Sequence, residues 1–143
     1  MAIDSSLIVA AARRWIGTPY VHQASVRCVG CDCLGLIRGL WRELMGEEPE
    51  AAPAYSEDWS EASGEETLYA AFKRHFGEIA IADAAPGDIV LFRMIARGPA
   101  KHCAVVAGAP GALKLIHSRQ NNRVAEEDLT RAWRRKMAFA FRF

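Results

Sequence analysis

Apolar residues in the first half of the chain recur at the three- and four-residue spacing of amphipathic helices. This spacing predicts a helix over 7–15, for which Ser5 and Ser6 are the expected cap and Gly17 the end. The same spacing predicts a further helix over 65–76, where the apolar residues again fall on one face. Both helices therefore have one side suited to packing against a core.

A more strongly apolar run lies between these two helices. It predicts a largely buried helix that starts at Asp32 or Cys33 and ends at Met45. The segments outside the helices are expected to be loops: 18–30, with extended stretches, and 47–63, which is acidic. Trp59, in the second loop, is expected to pack on the core rather than on a ligand.

The second half of the chain changes to short apolar runs separated by turn residues. These runs predict strands over 89–93, 101–107, 113–118 and 137–143. A short basic helix is expected over 126–135. Helices first and strands afterwards are typical of an α+β fold, with the helices packed on one side of an antiparallel sheet. The length of 143 residues fits a single domain over 1–143.

Composition narrows the class of protein. With 51% hydrophobic and 24% charged residues the chain is typical of a soluble globular protein, and its net charge of +1 gives no electrostatic reason to expect nucleic-acid binding. The apolar runs are too short for membrane insertion. The first residues lack the basic and apolar regions of a signal peptide, so we expect synthesis and retention in the cytoplasm.

The chemistry-bearing feature is a cysteine at the predicted start of the buried helix. Asp32 is a candidate cap for this helix, and Cys33 follows it. A helix N-terminus favours the thiolate, which predicts a nucleophile. Leu34 and Gly35 give the first turn of this helix little steric bulk, so we expect a substrate to be able to approach Cys33.

Two histidines are candidates for the partner of this thiol. His102 is at the start of one predicted strand and His117 at the end of the next. If the two strands form a hairpin, the histidines are neighbours at one end of the sheet. His102 would then be the base and His117 the residue that orients it.

Other interpretations of the cysteines remain open. Three of the four cysteines fall within six positions, which suits thiols or a metal better than disulfides. A zinc site would draw on the pair Cys28 and Cys31 together with Cys33, His102 and Cys103. A redox role for the pair is less favoured, because no strand precedes it in a βαβ unit. Simple packing is the remaining interpretation for the cysteines other than Cys33.

Five segments in order resemble the NlpC-type cell-wall cysteine peptidases, a papain-like group, and above all the subgroup encoded beside phage and gene-transfer-agent tail proteins. The segments are 17–20 (Gly-Thr-Pro-Tyr), 32–36 (Asp-Cys-Leu-Gly-Leu), 86–92 (Pro-Gly-Asp-Ile-Val-Leu-Phe), 101–106 (Lys-His-Cys-Ala-Val-Val) and 115–118 (Leu-Ile-His-Ser). The resemblance covers the chain from about residue 6 to its end.

The resemblance implies specific roles. Cys33 is the expected nucleophile, His102 the base and His117 its orienting partner. Tyr20 and Asp32 are expected to line the substrate cleft, with Tyr20 and the Cys33 N–H stabilising the oxyanion. The implied reaction is hydrolysis of peptide bonds in bacterial peptidoglycan, without a cofactor or a metal.

The chain also departs from this family pattern. Leu34 replaces a common serine, and the usual pair of glycines after the tyrosine is replaced by a segment containing His22, which we expect to be structural or to contact substrate. The resemblance implies peptidoglycan peptides and phage tail proteins as partners, with incorporation into a phage-like particle. The alternative is a catalytically silent tail-assembly or plug protein that uses the same fold for binding.

Overall fold

The computed structural model describes residues 3–50 and 65–143. The helices are α1 (Ser5–Arg13), α2 (Cys33–Leu44), α3 (Thr67–His75) and α4 (Arg131–Lys136). The strands are β1 (Ser25–Val26), β2 (Gly30–Cys31), β3 (Gly77–Ile79), β4 (Ile89–Phe92), β5 (His102–Ala109), β6 (Ala112–His117), β7 (Ala125–Asp128) and β8 (Met137–Arg142). Most of the predicted loop over 47–63, including Trp59, lies outside the described residues.

The helix predictions of the first half are confirmed, with one correction at the start of α1. Asp4 caps this helix, because its carboxylate accepts a hydrogen bond from the N–H of Ser6 at 2.9 Å. The predicted caps Ser5 and Ser6 are instead the first residues of the helix. An aspartate is as good a cap as a serine, and here it is placed correctly for the exposed N–H groups.

β3 to β8 form one antiparallel sheet in the order β3-β8-β4-β5-β6-β7. The predicted α+β class is confirmed. The strand order is not a simple meander, because the C-terminal strand β8 inserts between β3 and β4. The sequence did not predict the short strand β3 or the 3₁₀ turn Ile81–Asp83 that follows it.

The predicted helix over 126–135 is wrong in its first half. Residues Ala125–Asp128 form β7, which pairs with β6 at the edge of the sheet. The helix starts only at Arg131, where the Thr130 hydroxyl accepts a hydrogen bond from the N–H of Trp133. Charged residues are common on edge strands because they oppose pairing with further chains.

The sheet buries side chains on both faces. On one face, α1 and α2 cover apolar residues of the central strands, among them Ile89, Leu91, Val105, Ala107 and Ile116. On the other face, a smaller cluster includes Val90, Phe92, Ala104, Val106 and Leu115, with Trp133 of α4 packed against it. The expectation that helices cover one side is therefore incomplete, since α4 lies over the second face.

Close packing of α1 and α2 fixes the buried helix that carries the candidate nucleophile. A Cβ added at Gly39 would come within 2.0 Å of the Trp15 ring, so this position admits only glycine without rearrangement. Leu36 and Leu40 of α2 are fully buried in the core. Among the described residues, no helix has the length and apolar character needed to cross a membrane.

Candidate active site

The start of α2 is held by a buried aspartate. One carboxylate oxygen of Asp32 accepts the N–H of Gly35 at 2.7 Å, and the other accepts the N–H of Gln23 at 2.8 Å. The carboxylate therefore both caps the helix and ties the preceding loop to it. Cys33 is the first residue of the helix, as predicted, and its side chain is half-buried.

Gly35 serves a different purpose from the one expected. A Cβ at this position would lie 1.9 Å from the carbonyl oxygen of Ala24, so the missing side chain admits the backbone of the loop rather than a substrate. The Ser25 hydroxyl donates to the Gly35 carbonyl at 2.6 Å in the same region. The loop before α2 is thus packed directly onto the first turn of the helix.

The thiol of Cys33 lies beside the start of β5. Its Sγ is 3.8 Å from the carbonyl oxygen of Lys101, and the Cys103 Sγ is 3.3 Å from the Cys33 carbonyl oxygen. The pKa of Cys33 lies well below its ordinary value, because the thiolate accepts hydrogen bonds from the Cys103 thiol and from His102, and because the positive charge of His102 favours it.

The other cysteines differ from Cys33 in environment. Burial raises the pKa of Cys31 to about 11, and the neighbouring Cys33 together with burial raises the pKa of Cys103 well above its ordinary value. Cys28 is exposed. Within residues 3–50 and 65–143, no group of three or more His, Cys, Asp or Glu side chains is arranged to hold a metal ion.

The two predicted histidines lie together. The hairpin of β5 and β6 is confirmed, with Val105 opposite Ile116, and the Nε2 of His102 is 2.8 Å from the Nδ1 of His117. His117 is 1% and His102 8% exposed. Burial and the neighbouring charge of His102 lower the pKa of His117 to about 4, so His117 is neutral at pH 7.

A third side chain, hydrogen-bonded to the histidine pair, was missed by the sequence analysis. The Nε2 of His117 is hydrogen-bonded to a carboxylate oxygen of Glu127 on β7. The Arg119 guanidinium is 3.3 Å from the same oxygen. The signal that could have identified this residue is the helix cap at Thr130, which leaves 125–128 to pair as a further strand beside the histidine hairpin.

Trp133 of α4 covers the histidines. Its ring stacks on His102 with centroids 5.7 Å apart and meets His117 edge-on at 5.1 Å. Trp133 also packs against Phe92, so these two aromatic rings cover one side of the histidine pair. Restricted water access strengthens the hydrogen bond between the two imidazoles.

The three predicted substrate-contacting residues lie around the loop before α2. Tyr20 bridges to Cys31 and donates its N–H to the Asn122 carbonyl at 3.1 Å, so its backbone lies next to the segment that leads to Cys33. His22 is half-buried in the same loop. Asp32 is only 3% exposed and caps α2. Contact of these three side chains with a substrate stays a prediction.

Comparison with known proteins places the chain in a family. The family described as "Domain of unknown function (DUF6950)" matches residues 20–135, which include every residue of the site above. The chain belongs to the DUF6950 family.

This DUF6950 chain is also similar to named enzymes. It is 28% identical over 138 residues to the Gamma-DL-glutamyl hydrolase of Bacillus subtilis (strain 168), covering 95% of this chain but only 29% of that hydrolase. The chain therefore spans less than a third of that relative's length.

Solved structures agree on the fold. The NlpC/p60 domain of the peptidoglycan hydrolase SagA superposes with a TM-score of 0.68 at 22% identity, covering 99% of this chain and 100% of that domain. An NlpC/P60 family protein from Bacillus cereus ATCC 10987 gives 0.70 at 19% identity, covering 100% of this chain and 41% of that protein. The DUF6950 chain has the NlpC/p60 fold.

The arrangement in this DUF6950 chain is suited to nucleophilic chemistry. The thiol of Cys33 is at the N-terminus of α2 beside the start of β5, its pKa is lowered by Cys103 and by His102, and the neutral imidazole of His117 is hydrogen-bonded to that of His102. A thiolate that attacks and an imidazole that delivers or removes a proton are the requirements of acyl transfer.

Proposed function

We propose that this protein is a cysteine peptidase that hydrolyses peptide bonds in the stem peptides of bacterial peptidoglycan. The observation that carries the proposal is the position of Cys33 at the start of α2, with its Sγ 3.8 Å from the Lys101 carbonyl oxygen just before His102, and with His117 2.8 Å behind that base. The positive charge of His102 helps to hold the pKa of Cys33 well below its ordinary value. The similarity to the fold of the NlpC/p60 domain of the peptidoglycan hydrolase SagA supports this substrate class.

The first half of the proposed reaction forms an acyl-enzyme. The Cys33 thiolate adds to the carbonyl carbon of the scissile bond, and the carbonyl oxygen becomes an oxyanion. The N–H of Cys33, at the helix end where N–H groups lack helical partners, stabilises that oxyanion, and Tyr20 is the proposed second donor. His102 then gives its proton to the departing amine as the C–N bond breaks.

The second half releases the product. His102, now neutral, takes a proton from water, and the resulting hydroxide equivalent adds to the thioester carbon. The C–S bond breaks, the carboxylic acid leaves, and the Cys33 thiolate and protonated His102 are restored. The neutral His117 accepts the hydrogen bond of His102 throughout the cycle.

The name of the B. subtilis relative puts γ-glutamyl bonds first among the bonds to be tested. The relative is a Gamma-DL-glutamyl hydrolase, and a γ-glutamyl linkage is an amide that the same acyl transfer would break. Leu34, which replaces the common serine, removes a hydroxyl that could bind a free amino terminus. We therefore expect cleavage of stem peptides that are still attached to the glycan at their amino end.

Digestion of purified peptidoglycan, read by mass spectrometry, tests the proposal. Fragments should appear with the parent protein and be lost with Cys33→Ala, while Cys28→Ala, which removes an exposed thiol, should digest like the parent. Fragment masses identify the bond. Failure of the parent on several wall types, or digestion by Cys33→Ala, contradicts the proposal and favours a catalytically silent binding role.

We also propose that a phage-like tail particle carries the enzyme to the wall. The order of motifs resembles the tail-associated subgroup, and this resemblance is the support for the idea. Immunodetection in purified particles from a producing strain should place the protein in the tail fraction. Recovery only in the particle-free fraction contradicts this part of the proposal and leaves the peptidase proposal standing.

A further inference from the structure

We propose that Glu127 is a positioning residue that fixes the tautomer of His117 and thereby the nitrogen that His102 offers to Cys33. The inference rests on the proposed function only for its effect on turnover. Its structural part concerns protons on imidazole rings, which are measurable without any substrate.

The three side chains form a row across adjacent strands of the sheet. His117 lies opposite Ala125 and Leu115 lies opposite Glu127, so the Glu127 side chain is on the same face as that of His117. His102 is on this face too, since it alternates along β5 with Ala104 and Val106 of the second core cluster. The register of three strands thus aligns His102, His117 and Glu127 diagonally.

The carboxylate determines the direction of every hydrogen bond in the row. An ionised carboxylate only accepts, so the Nε2 of His117 must carry a proton and donate to Glu127. The neutral His117 then has a bare Nδ1, which accepts from the Nε2–H of His102 at 2.8 Å. The Nδ1 of His102 is the nitrogen that remains for Cys33.

The opposite tautomer would disable the base. If His117 carried its proton on Nδ1, a neutral His102 would have to accept at Nε2 and would carry its own proton on Nδ1. That nitrogen could not then take the thiol proton. The protonated His102, with an N–H at both ring nitrogens, would face an N–H of His117 instead of a lone pair. Neutral histidine prefers the Nε2–H tautomer only weakly, and a buried Nε2–H without an acceptor would lose that preference, so an external acceptor is needed to hold the tautomer.

Glu127 is itself held in place. The Arg119 Nε is 3.3 Å from its carboxylate, and the Arg119 guanidinium lies 5.9 Å from the centroid of the Trp133 ring. Glu127 is therefore fixed between a buried imidazole and an exposed cation. Because its side chain is 34% exposed, it can be changed without opening a cavity in the core.

Long-range ¹H–¹⁵N spectra of the imidazole rings at pH 7 test the proposal, with His117 assigned from His117→Gln. The variants are Glu127→Leu, which removes the acceptor, and Glu127→Gln, whose amide oxygen can still accept. Asp128→Asn is the matched control, because the next residue of β7 pairs instead with Lys114 at 3.3 Å.

We expect His117 to be protonated on Nε2 in the parent, in Asp128→Asn and in Glu127→Gln, and to become a mixture of tautomers in Glu127→Leu. Alkylation of Cys33 at pH 7 should slow about tenfold in Glu127→Leu and less than about threefold in Glu127→Gln, in line with one lost hydrogen bond. Peptidoglycan digestion should follow the same order.

Two results overturn the proposal. One is a parent His117 protonated on Nδ1, which is decisive even if Glu127→Leu fails to fold. The other is a folded Glu127→Leu with the tautomer of the parent. If the parent does not digest peptidoglycan but the expected spectra are found, the proposed function fails and the role of Glu127 stands.

Discussion

The two faces of the six-stranded sheet use the same strands for different purposes. Beneath α1 and α2, side chains such as Ile116 are apolar and fully buried. On the opposite face the next residue, His117, is equally buried but joins a polar row that ends at an exposed arginine. Because successive side chains of a strand point to opposite faces, a core residue and a residue of the candidate site are neighbours in the sequence of β6.

This difference shows how imidazoles can be buried with little loss of folding free energy. A buried polar group is tolerated when each of its hydrogen-bonding atoms has a partner. Both ring nitrogens of His117 have one, and aromatic rings cover the rest. Core residues such as Ile116 on the helix-covered face should thus govern stability, whereas the imidazoles on the face under α4 should govern the reactivity of Cys33, whose own side chain packs against the helix-covered core. Substitutions at neighbouring positions can separate the two effects.

Removal of the base should produce the largest effect. With His102→Asn we expect kcat/KM to fall about 10³-fold, since a positioned general base contributes about 10²–10⁴. Alkylation of Cys33, followed peptide by peptide in mass spectrometry, should slow in parallel, because the thiolate loses a hydrogen bond and a positive charge. Ile116→Val on the other face is the control and should react like the parent. A His102→Asn variant within tenfold of the parent contradicts this division of the faces.

Truncation on the helix-covered face should act in the opposite way. Ile116→Ala removes a fully buried side chain and should lower the free energy of unfolding by about 2–5 kcal/mol. The rate of Cys33 alkylation in the folded protein should stay at the parent value. Denaturant unfolding combined with alkylation below the transition checks both statements. A slowed thiol without lost stability would show that the two faces are coupled.

Acid should weaken the fold through His117. Its pKa falls from 6.5 to about 4 on folding, so between these values the unfolded chain binds a proton that the folded chain does not. Stability should therefore decrease as pH falls from about 6.5 to 4, by up to about 3 kcal/mol. The groups facing His117 are His102, Glu127 and, beyond the latter, Arg119. Denaturant unfolding of parent and His117→Gln across this range should show a flatter curve for the variant; parallel curves would contradict the prediction.

The sequence was most informative where several local signals agreed. An aspartate before an apolar helical run predicted that α2 starts at Asp32 or Cys33, and the structure starts it at Cys33. Turn residues on either side of two short apolar strands suggested the histidine hairpin, which the structure contains. Each prediction used short-range information: a cap, a period, a turn. Spacing alone could not give the 2.8 Å between the two imidazoles.

Glu127 escaped prediction because its neighbourhood has no strand pattern. Ala125–Asp128 is an edge strand of mostly charged residues, so apolar alternation is missing and the sequence of this segment reads as part of the helix that follows. The capping side chain of Thr130 was the available local signal for the true helix start. Pairing with β6 is a long-range property that no window of the sequence contains.

The smallest expected effect concerns the Trp133 ring that covers the histidine pair, and it tests the difference between the two faces with a single conservative substitution. Trp133→Phe keeps an apolar ring over His102 but shortens it, so we expect Cys33 alkylation to slow about fivefold, corresponding to about 1 kcal/mol of aromatic contact. Trp41→Phe is the matched control: this half-buried tryptophan of α2 packs on Phe76 at 5.3 Å. It should cost stability without slowing the thiol. Equal slowing in both variants would mean that Trp133 acts through general packing rather than as a shield over the imidazole pair.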